Sequence, residues 1–187
     1  MKKKTRCDWC LKDDIYIDYH DEVWGFPEHD EIKLFEYLNL EGAQAGLSWY
    51  TVLIKKDNYA KAFSGWDPTK IVKYSEKKVE KLLTNPGIIR NRLKVNSVVT
   101  NAKTYLDMLD QGTTLDKYLW DFVDGKPIIN KFKTMSDIPA QTDLSNKISK
   151  DMKKRGFKFV GPTIVYAYMQ AIGMVDDHVL SCWRRKG

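Results

Sequence analysis

The side chains able to ligate a metal are few: Cys7, Cys10 and Cys182, with His20, His29 and His178. Two groupings compete. Cys7-x-x-Cys10 with His20 and His29 would make a local clip, although its spacings miss the two-Cys two-His finger pattern. The other joins Cys7 and His20 to His178-x-x-x-Cys182, a pair one helical turn apart that can converge on one ion. A closed site of two thiolates and two imidazoles is structural, and this one would staple the two ends of the chain together. Without a metal, a cysteine here is a small buried hydrophobe and the histidines make ordinary hydrogen bonds. Deaminase chemistry is excluded. His20-Asp21-Glu22 and His29-Asp30-Glu31 both read H-x-E, but that signature needs Pro-Cys-x-x-Cys downstream, and the one Cys-x-x-Cys lies upstream behind Arg6.

A second centre of interest is Leu40-Glu41-Gly42-Ala43-Gln44-Ala45-Gly46-Leu47-Ser48-Trp49. Glu41 is the only acid between Glu36 and Asp57, lodged among small and apolar residues. Desolvated there, its carboxyl needs a donor, which a bound ligand can supply; the alternative is an exposed glutamate at a helix end. Trp49 can stack on a planar ligand or fill core. The opening stretch is rich in rings, with Trp9, Tyr16, Tyr19 and Trp24, and Tyr19 adjoining a metal-bound His20 would be held rigidly. Further on, Thr84-Asn85-Pro86-Gly87 separates two helical segments, the second opening Ile88-Ile89-Arg90-Asn91-Arg92 with Lys94 close behind. A glycine at such a turn lets backbone N–H groups approach a phosphate, and a helix N-terminus adds a favourable dipole. The pattern fits a helix-hairpin-helix that grips a nucleic-acid backbone without reading sequence.

The elements that position these residues read as helices. Residues 30–40 carry apolar positions at helical spacing behind Asp30 as N-cap, and Gly42 is expected to break that helix, with residues 43–59 forming the next. Asp67-Pro68 opens another. Residues 75–83 follow, then a long amphipathic helix over 88–109 with Leu93, Val95, Val98, Val99, Ala102 and Leu106 on its buried side. Residues 115–123, 144–155 and 163–172 complete the set, and the class is mainly α. The 187 residues suffice for one domain or two small lobes, with 43% apolar and 30% charged residues in ordinary globular proportion. Thirty-one Lys and Arg against 25 Asp and Glu leave a charge of +6, which suits an anionic partner without demanding one. The apolar stretch 159–175 is too short and too interrupted, Gln170 included, to span a membrane. The basic start, Met1-Lys2-Lys3-Lys4, is followed by no apolar run. Three cysteines cannot pair completely, and a cytoplasmic location is expected.

Together these pieces resemble the 3-methyladenine DNA glycosylase I family, bacterial alkylation-repair enzymes of the helix-hairpin-helix glycosylase superfamily. The resemblance rests on Tyr19-His20-Asp21-Glu22-Val23-Trp24-Gly25, on Glu41 through Trp49, and on Gly87-Ile88-Ile89-Arg90. It continues through Arg155-Gly156-Phe157-Lys158-Phe159-Val160-Gly161 and Asp177-His178-Val179 with Cys182, in order along nearly the whole chain. It implies a helix-hairpin-helix lobe (residues 35–115) and a second lobe built from both termini (1–34 with 116–187) around one structural zinc. The implied ligands are Cys7, His20, His178 and Cys182, leaving Cys10 outside. The implied base pocket has Glu41 as the catalytic carboxyl and Tyr19 as the second polar contact. Trp49 would be its stacking face, with Trp9, Tyr16 and Trp24 as lining. Gly46 and Leu47 match the segment that probes the duplex where the base has left, and Gly87, Ile88, Arg90 and Arg92 match the backbone grip. The implied activity is hydrolysis of the N-glycosidic bond of 3-methyladenine in double-stranded DNA by a monofunctional, monomeric enzyme. The resemblance offers no general base, and Asp177 is expected to support a zinc ligand or cap a helix.

Overall fold

The computed structural model describes residues 4–185. Met1 to Lys3 of the basic start, and Lys186 and Gly187 at the end of the terminal lobe, lie outside them. The described residues form ten α-helices: α1 (Asp14–Glu22), α2 (Glu31–Gln44), α3 (Trp49–Leu53), α4 (Lys56–Ala62), α5 (Pro68–Ile71), α6 (Glu76–Leu83), α7 (Arg92–Asp110), α8 (Leu115–Trp120), α9 (Asp143–Arg155) and α10 (Pro162–Ala171). Two-residue strands, β1 (Ile128–Ile129) and β2 (Val175–Asp176), pair in parallel. No helix among the described residues is long and apolar enough to cross a membrane.

Most helices start where their capping chemistry says they should. Asp30, Ser75 and Thr114 each accept from the backbone N–H three residues on, and Asp67 accepts from that of Thr69 with Pro68 in the first turn. Three expectations fail. Gly42 does not end a helix: α2 runs through it to Gln44, because a close approach rather than a break is what the glycine serves. A Cβ at position 42 would sit 3.1 Å from Cβ of Phe159. Residues 43–59 are not one helix but the end of α2, the loop 45–48, α3 and the start of α4. The long helix begins at Arg92 rather than Ile88, since the Asn91 side chain caps it by accepting from Lys94 N–H, and Leu93 is 70% exposed rather than buried.

The helix α2 is the centre of the molecule. Leu34, Phe35, Leu38 and Leu40 are fully buried, and the helix packs against α3, α7, α8 and α10. The division between lobes drawn at 34/35 therefore passes through a continuous helix. Two buried asparagines fix it. Asn39 donates to Phe35 O (2.8 Å), Asn101 of α7 donates to Asn39 Oδ1 (3.0 Å), and Lys158 N–H donates to Asn101 Oδ1 (2.8 Å). This clamp ties α2 and α7 to the 157–161 loop, one residue from Phe159 and two from the Glu41 side of α2.

Replacing Asn101 by Leu strands the Asn39 carbonyl and the Lys158 N–H in the interior. Each such loss costs about 1–3 kcal/mol, so urea unfolding should report a destabilisation of the order of 3 kcal/mol. A change within about 0.5 kcal/mol, the range of an indifferent surface substitution, would show that the clamp does not hold α2.

Candidate functional site

A cavity of about 270 Å³ opens between the chain's beginning and α2. Tyr16 and Tyr19 reach it from one face of α1, three residues apart, on a helix capped by Asp13, whose carboxylate accepts from Tyr16 N–H (3.1 Å). Asp13 also accepts from the Tyr50 hydroxyl, anchoring α1 against α3. Trp9 comes from the short 3-10 turn Asp8–Cys10 and meets Tyr16 and Trp24 edge to face at 4.8 and 5.1 Å between centroids. Tyr19 and Trp49 lie tilted at 5.2 Å. All five sequence-identified rings line this one cavity, together with Glu41.

Glu41 is 3% exposed, and its Oε2 has no hydrogen-bond partner. Burial alone pushes its carboxyl up to about 8. Burial, and then the proximity of Glu41, also lifts the Tyr19 hydroxyl well above its ordinary range. Trp49 Nε1 is likewise buried and unpartnered. Such a slot suits a flat ring that brings N–H donors to the carboxyl, and a cationic ring gains a further ~0.5–2 kcal/mol from desolvated contact with an indole face.

Five lining residues were given no role in the reading of the sequence: Met135, Ile138, Ala167, Gln170 and Gln44. The first two belong to a loop with no periodicity to betray it. Gln170 carried a signal, as the one amide side chain in the otherwise apolar α10. A second groove, about 320 Å³, shares Glu41, Gln44 and Ala167 with the cavity and adds Gly46, Leu47 and Thr163. Leu47 is 41% exposed on this loop. The loop is pinned from behind by Lys94 Nζ, which donates to Ala43 O (2.8 Å) and Ala45 O (2.7 Å).

Cys7, His20 and Cys182 form a buried group whose ligand atoms all lie within 4.8 Å of one another, close enough to hold a metal ion. The Cys7 thiol, and after it His20, pull Cys182 below the ordinary thiol range against the effect of burial, while the hydrogen bond to Cys182 and burial push Cys7 up. His20 Nδ1 is held by Asp21 Oδ1 at 2.8 Å, which turns Nε2 toward Cys182 Sγ at 3.5 Å. Asp21 itself sits at about 2: burial opposes this, but hydrogen bonds from Arg6 and His20 outweigh it. His178 lies beside the group, its ring 4.8 Å from that of His20, with Nδ1 on Asp176 Oδ1 (2.8 Å) and a buried Nε2 that finds no partner. The local clip does not assemble. Cys10 donates to Cys7 O instead (3.1 Å), and the exposed His29 pairs with Asp116 (2.6 Å).

Two details differ from expectation. Residues 177–182 are not helical, so His178 and Cys182 are brought round by an extended segment and a turn rather than by one helical turn. And Asp177 neither caps a helix nor touches His178, since Asp176 takes that place. Asp177 accepts instead from Asn130, Tyr166 and Gln170. The pocket and the cysteine–histidine group share a wall: the ring of Trp9 lies 5.4 Å from that of His20, and the ring of Trp24 lies 4.7 Å from that of His178. Gly25, at φ +78°, is required there, because a Cβ would fall 2.9 Å from His178 Cε1.

The hairpin candidates are only partly free. Between α6 and α7, Gly87 N–H bonds Asn85 Oδ1 (2.8 Å), and the Ile88 side chain is buried. Arg92 is held by Glu76 (2.7 Å) and Glu80 (2.5 Å), whereas Arg90 is exposed.

The helical scaffold thus presents an unpaired carboxyl in an aromatic-lined cavity, a site whose shape and chemistry suit planar, N–H-bearing rings. The comparisons specify the class further. A family model described as methyladenine glycosylase matches residues 9–185, and the chain belongs to that family. DNA-3-methyladenine glycosylase 1 of Escherichia coli (strain K12) is 49% identical over 177 residues, 95% of each chain. A crystal structure of a 3-methyladenine DNA glycosylase I superposes with a TM-score of 0.96 at 48% identity, covering 97% of this chain and 100% of that one. A variant of such an enzyme in complex with 3-methyladenine gives 0.93 at 36% identity, over 97% and 98%.

An acid raised from 4.5 to about 8 binds its proton more tightly folded than unfolded, so its contribution is complete below pH 4.5 and is lost as pH rises through about 8. Ligand-free protein should therefore lose stability, of the order of a few kcal/mol, against Glu41→Gln between pH 5 and pH 8.5. Urea unfolding of both proteins at both pH values isolates the effect, because other titrating groups cancel in the difference. Parallel pH curves would place the Glu41 carboxyl in contact with water.

Proposed function

We propose that this chain excises 3-methyladenine from alkylated double-stranded DNA, hydrolysing the N-glycosidic bond with the damaged nucleotide flipped into the cavity. The observation that carries the reading is the buried, unpartnered carboxyl of Glu41 beneath a wall of rings. The printed names of the E. coli relative and of the solved structures support it. Methylation at N3 leaves adenine cationic and already a good leaving group. Water adds to C1′ of the deoxyribose, the C1′–N9 bond breaks, its electron pair neutralises the base, and the water's second proton passes to solvent. The residues need not protonate the leaving group. They extrude it, hold it and exclude bulk water. Trp49 stacks on the cationic ring, Trp9, Tyr16 and Trp24 enclose it, and Glu41 with Tyr19 meets its polar edge. Free 3-methyladenine and an abasic site are the products.

Leu47, on the Gly46 turn, fills the gap left in the duplex, and the groove beside the cavity gives the sugar its passage. Residues 84–94 grip the backbone as a helix-hairpin-helix through the main chain at Gly87 and Ile88 and through Arg90. Arg92 joins them by exchanging Glu76 and Glu80 for phosphate. The helix-hairpin-helix lobe (35–115) and the terminal lobe (1–34 with 116–187) meet along α2. The enzyme works as a monomer in the cytoplasm, where its substrate lies.

Cys7, His20, His178 and Cys182 hold one structural zinc. The donor set of two thiols and two imidazoles suits that ion. Each histidine already has Nδ1 on a carboxylate, which frees Nε2 for a metal, and His178 Nε2 is an orphan that a metal would satisfy. Zinc would supply only ligation there, tying the chain's ends behind Trp9 and Trp24.

Purified protein incubated with methylated DNA should release 3-methyladenine, resolved by chromatography, and leave 7-methylguanine in place. Glu41→Gln should reduce release by about 10²-fold or more while the protein stays folded. Salt-sensitive DNA binding without release would move a non-enzymatic damage-binding protein to first place. In metal analysis, Cys182→Ser should lower zinc content and Tm, and Cys10→Ser should change neither. Loss of metal from the Cys10 variant would restore the local clip.

A further inference from the structure

Gln170, in the cavity wall, is held by both its backbone and its side chain. Its backbone carbonyl accepts from Gly25 N–H (2.9 Å), and its Nε2 donates to Asp177 Oδ2 (2.8 Å). Asp177 is fully buried and also takes the Tyr166 hydroxyl (2.6 Å) and Asn130 Nδ2 (2.6 Å). A carboxylate ringed by three donors can only accept, so the Gln170 amide must present its NH2 to Asp177 and keep Oε1 for the other side. Among the described residues none donates to that Oε1, and Gln170 lines the cavity with Glu41.

We infer that Gln170 is a specificity-determining residue of the pocket, its Oε1 a fixed acceptor that selects a purine carrying an amino group over one carrying a carbonyl at the same ring position. The inference rests on the proposed function. Adenine brings an N–H to such an acceptor, whereas guanine sets its O6 lone pairs against those of the amide. Rotating the amide to suit guanine would break the bond to Asp177 and turn Oε1 onto a carboxylate. Glu41 cannot make this distinction alone. Neutral below about pH 8, its carboxyl can offer either an O–H or a C=O to the base. Asp177 is thus a positioning residue, acting on the base through Gln170.

The test is the ratio of 3-methyladenine to 3-methylguanine released from methylated DNA, measured for the unaltered protein, Gln170→Leu and Asp177→Asn. Both variants should lower that ratio by at least about tenfold, Gln170→Leu by removing the acceptor and Asp177→Asn by letting the amide turn. Zinc content of the Asp177 variant, compared with the parent, separates this effect from damage to the neighbouring His178. Gln170→Met replaces Gln170→Leu should the latter fail to fold. Equal loss of both bases, or no change in the ratio, overturns the inference and leaves Gln170 as wall. No release of 3-methyladenine by the unaltered protein is a different failure, of the glycosylase reading itself, and takes the inference with it.

Discussion

A carboxyl removed from water with nothing to bond is costly, and in this fold the cost falls on the helix that carries Glu41. Left to relax, α2 would rotate or fray until the carboxyl reached solvent, because a desolvated polar group without a partner loses more than a few good apolar contacts return. The surrounding structure closes those escapes. The Asn39–Asn101–Lys158 clamp fixes the helix in rotation, and Phe159 sits against the bare face at Gly42, one residue from Glu41. Lys94 holds the carbonyls at its C-terminal end. Glu31, in the first turn of α2, accepts from the Leu115 and Asp116 N–H groups (3.0 and 2.9 Å) and locks the other end to α8. These are polar, directional restraints, and they specify one helix position where apolar packing alone would tolerate several.

Much of this was legible in the chain. Capping residues announced where α2 and α5 begin, since the aspartates Asp30 and Asp67 satisfy N–H groups that no other part of the helix can. Glu41 stood out by its isolation among small and apolar neighbours. The failures share a cause. Gly42 reads locally as a helix breaker and is instead a clearance for Phe159, more than a hundred residues away. Leu93 falls on the apolar side by periodicity, yet α7 begins at Arg92, and within its first turn it is Val95 that faces the core while Leu93 faces solvent. Arg92 reads as a free cation until Glu76 and Glu80 arrive from α6. Local rules find elements and their ends; what an element packs against is decided by partners the window does not contain.

Gln170 and Asp177 extend the point to chemistry. A glutamine amid apolar residues reads as an interruption, and an aspartate beside a ligand histidine reads as that histidine's support. The fold reassigns both. Asp176 supports His178, and Asp177, one residue on and facing the opposite way, takes up Gln170, Tyr166 and Asn130. In an extended segment successive side chains point to opposite sides. Two adjacent aspartates can therefore serve two different sites, one on each side of the chain.

Adjacency along the chain likewise ties part of the pocket wall to the group of Cys7, His20 and Cys182. Trp9 lies between Cys7 and Cys10, Tyr19 precedes His20, and Trp24 precedes the glycine that clears His178. These three rings are thus within two residues of a member of the group or of a residue in contact with it, whereas Tyr16 and Trp49 are positioned by α1 and α3. Drawing Cys7, His20 and Cys182 together therefore draws Trp9 and Tyr19 together as well. The rings themselves make few polar anchors: Trp49 Nε1 is unpartnered, and the Tyr19 hydroxyl is buried beside an unpaired carboxyl. Trp9, Tyr19 and Trp24 are held from behind, beside the sulfur and imidazole groups, and Tyr16 and Trp49 by the capped helices α1 and α3, rather than by polar contacts within the cavity. The side facing the ligand is consequently free to keep unsatisfied atoms, which is the condition under which an arriving base gains more from the site than the water it displaces.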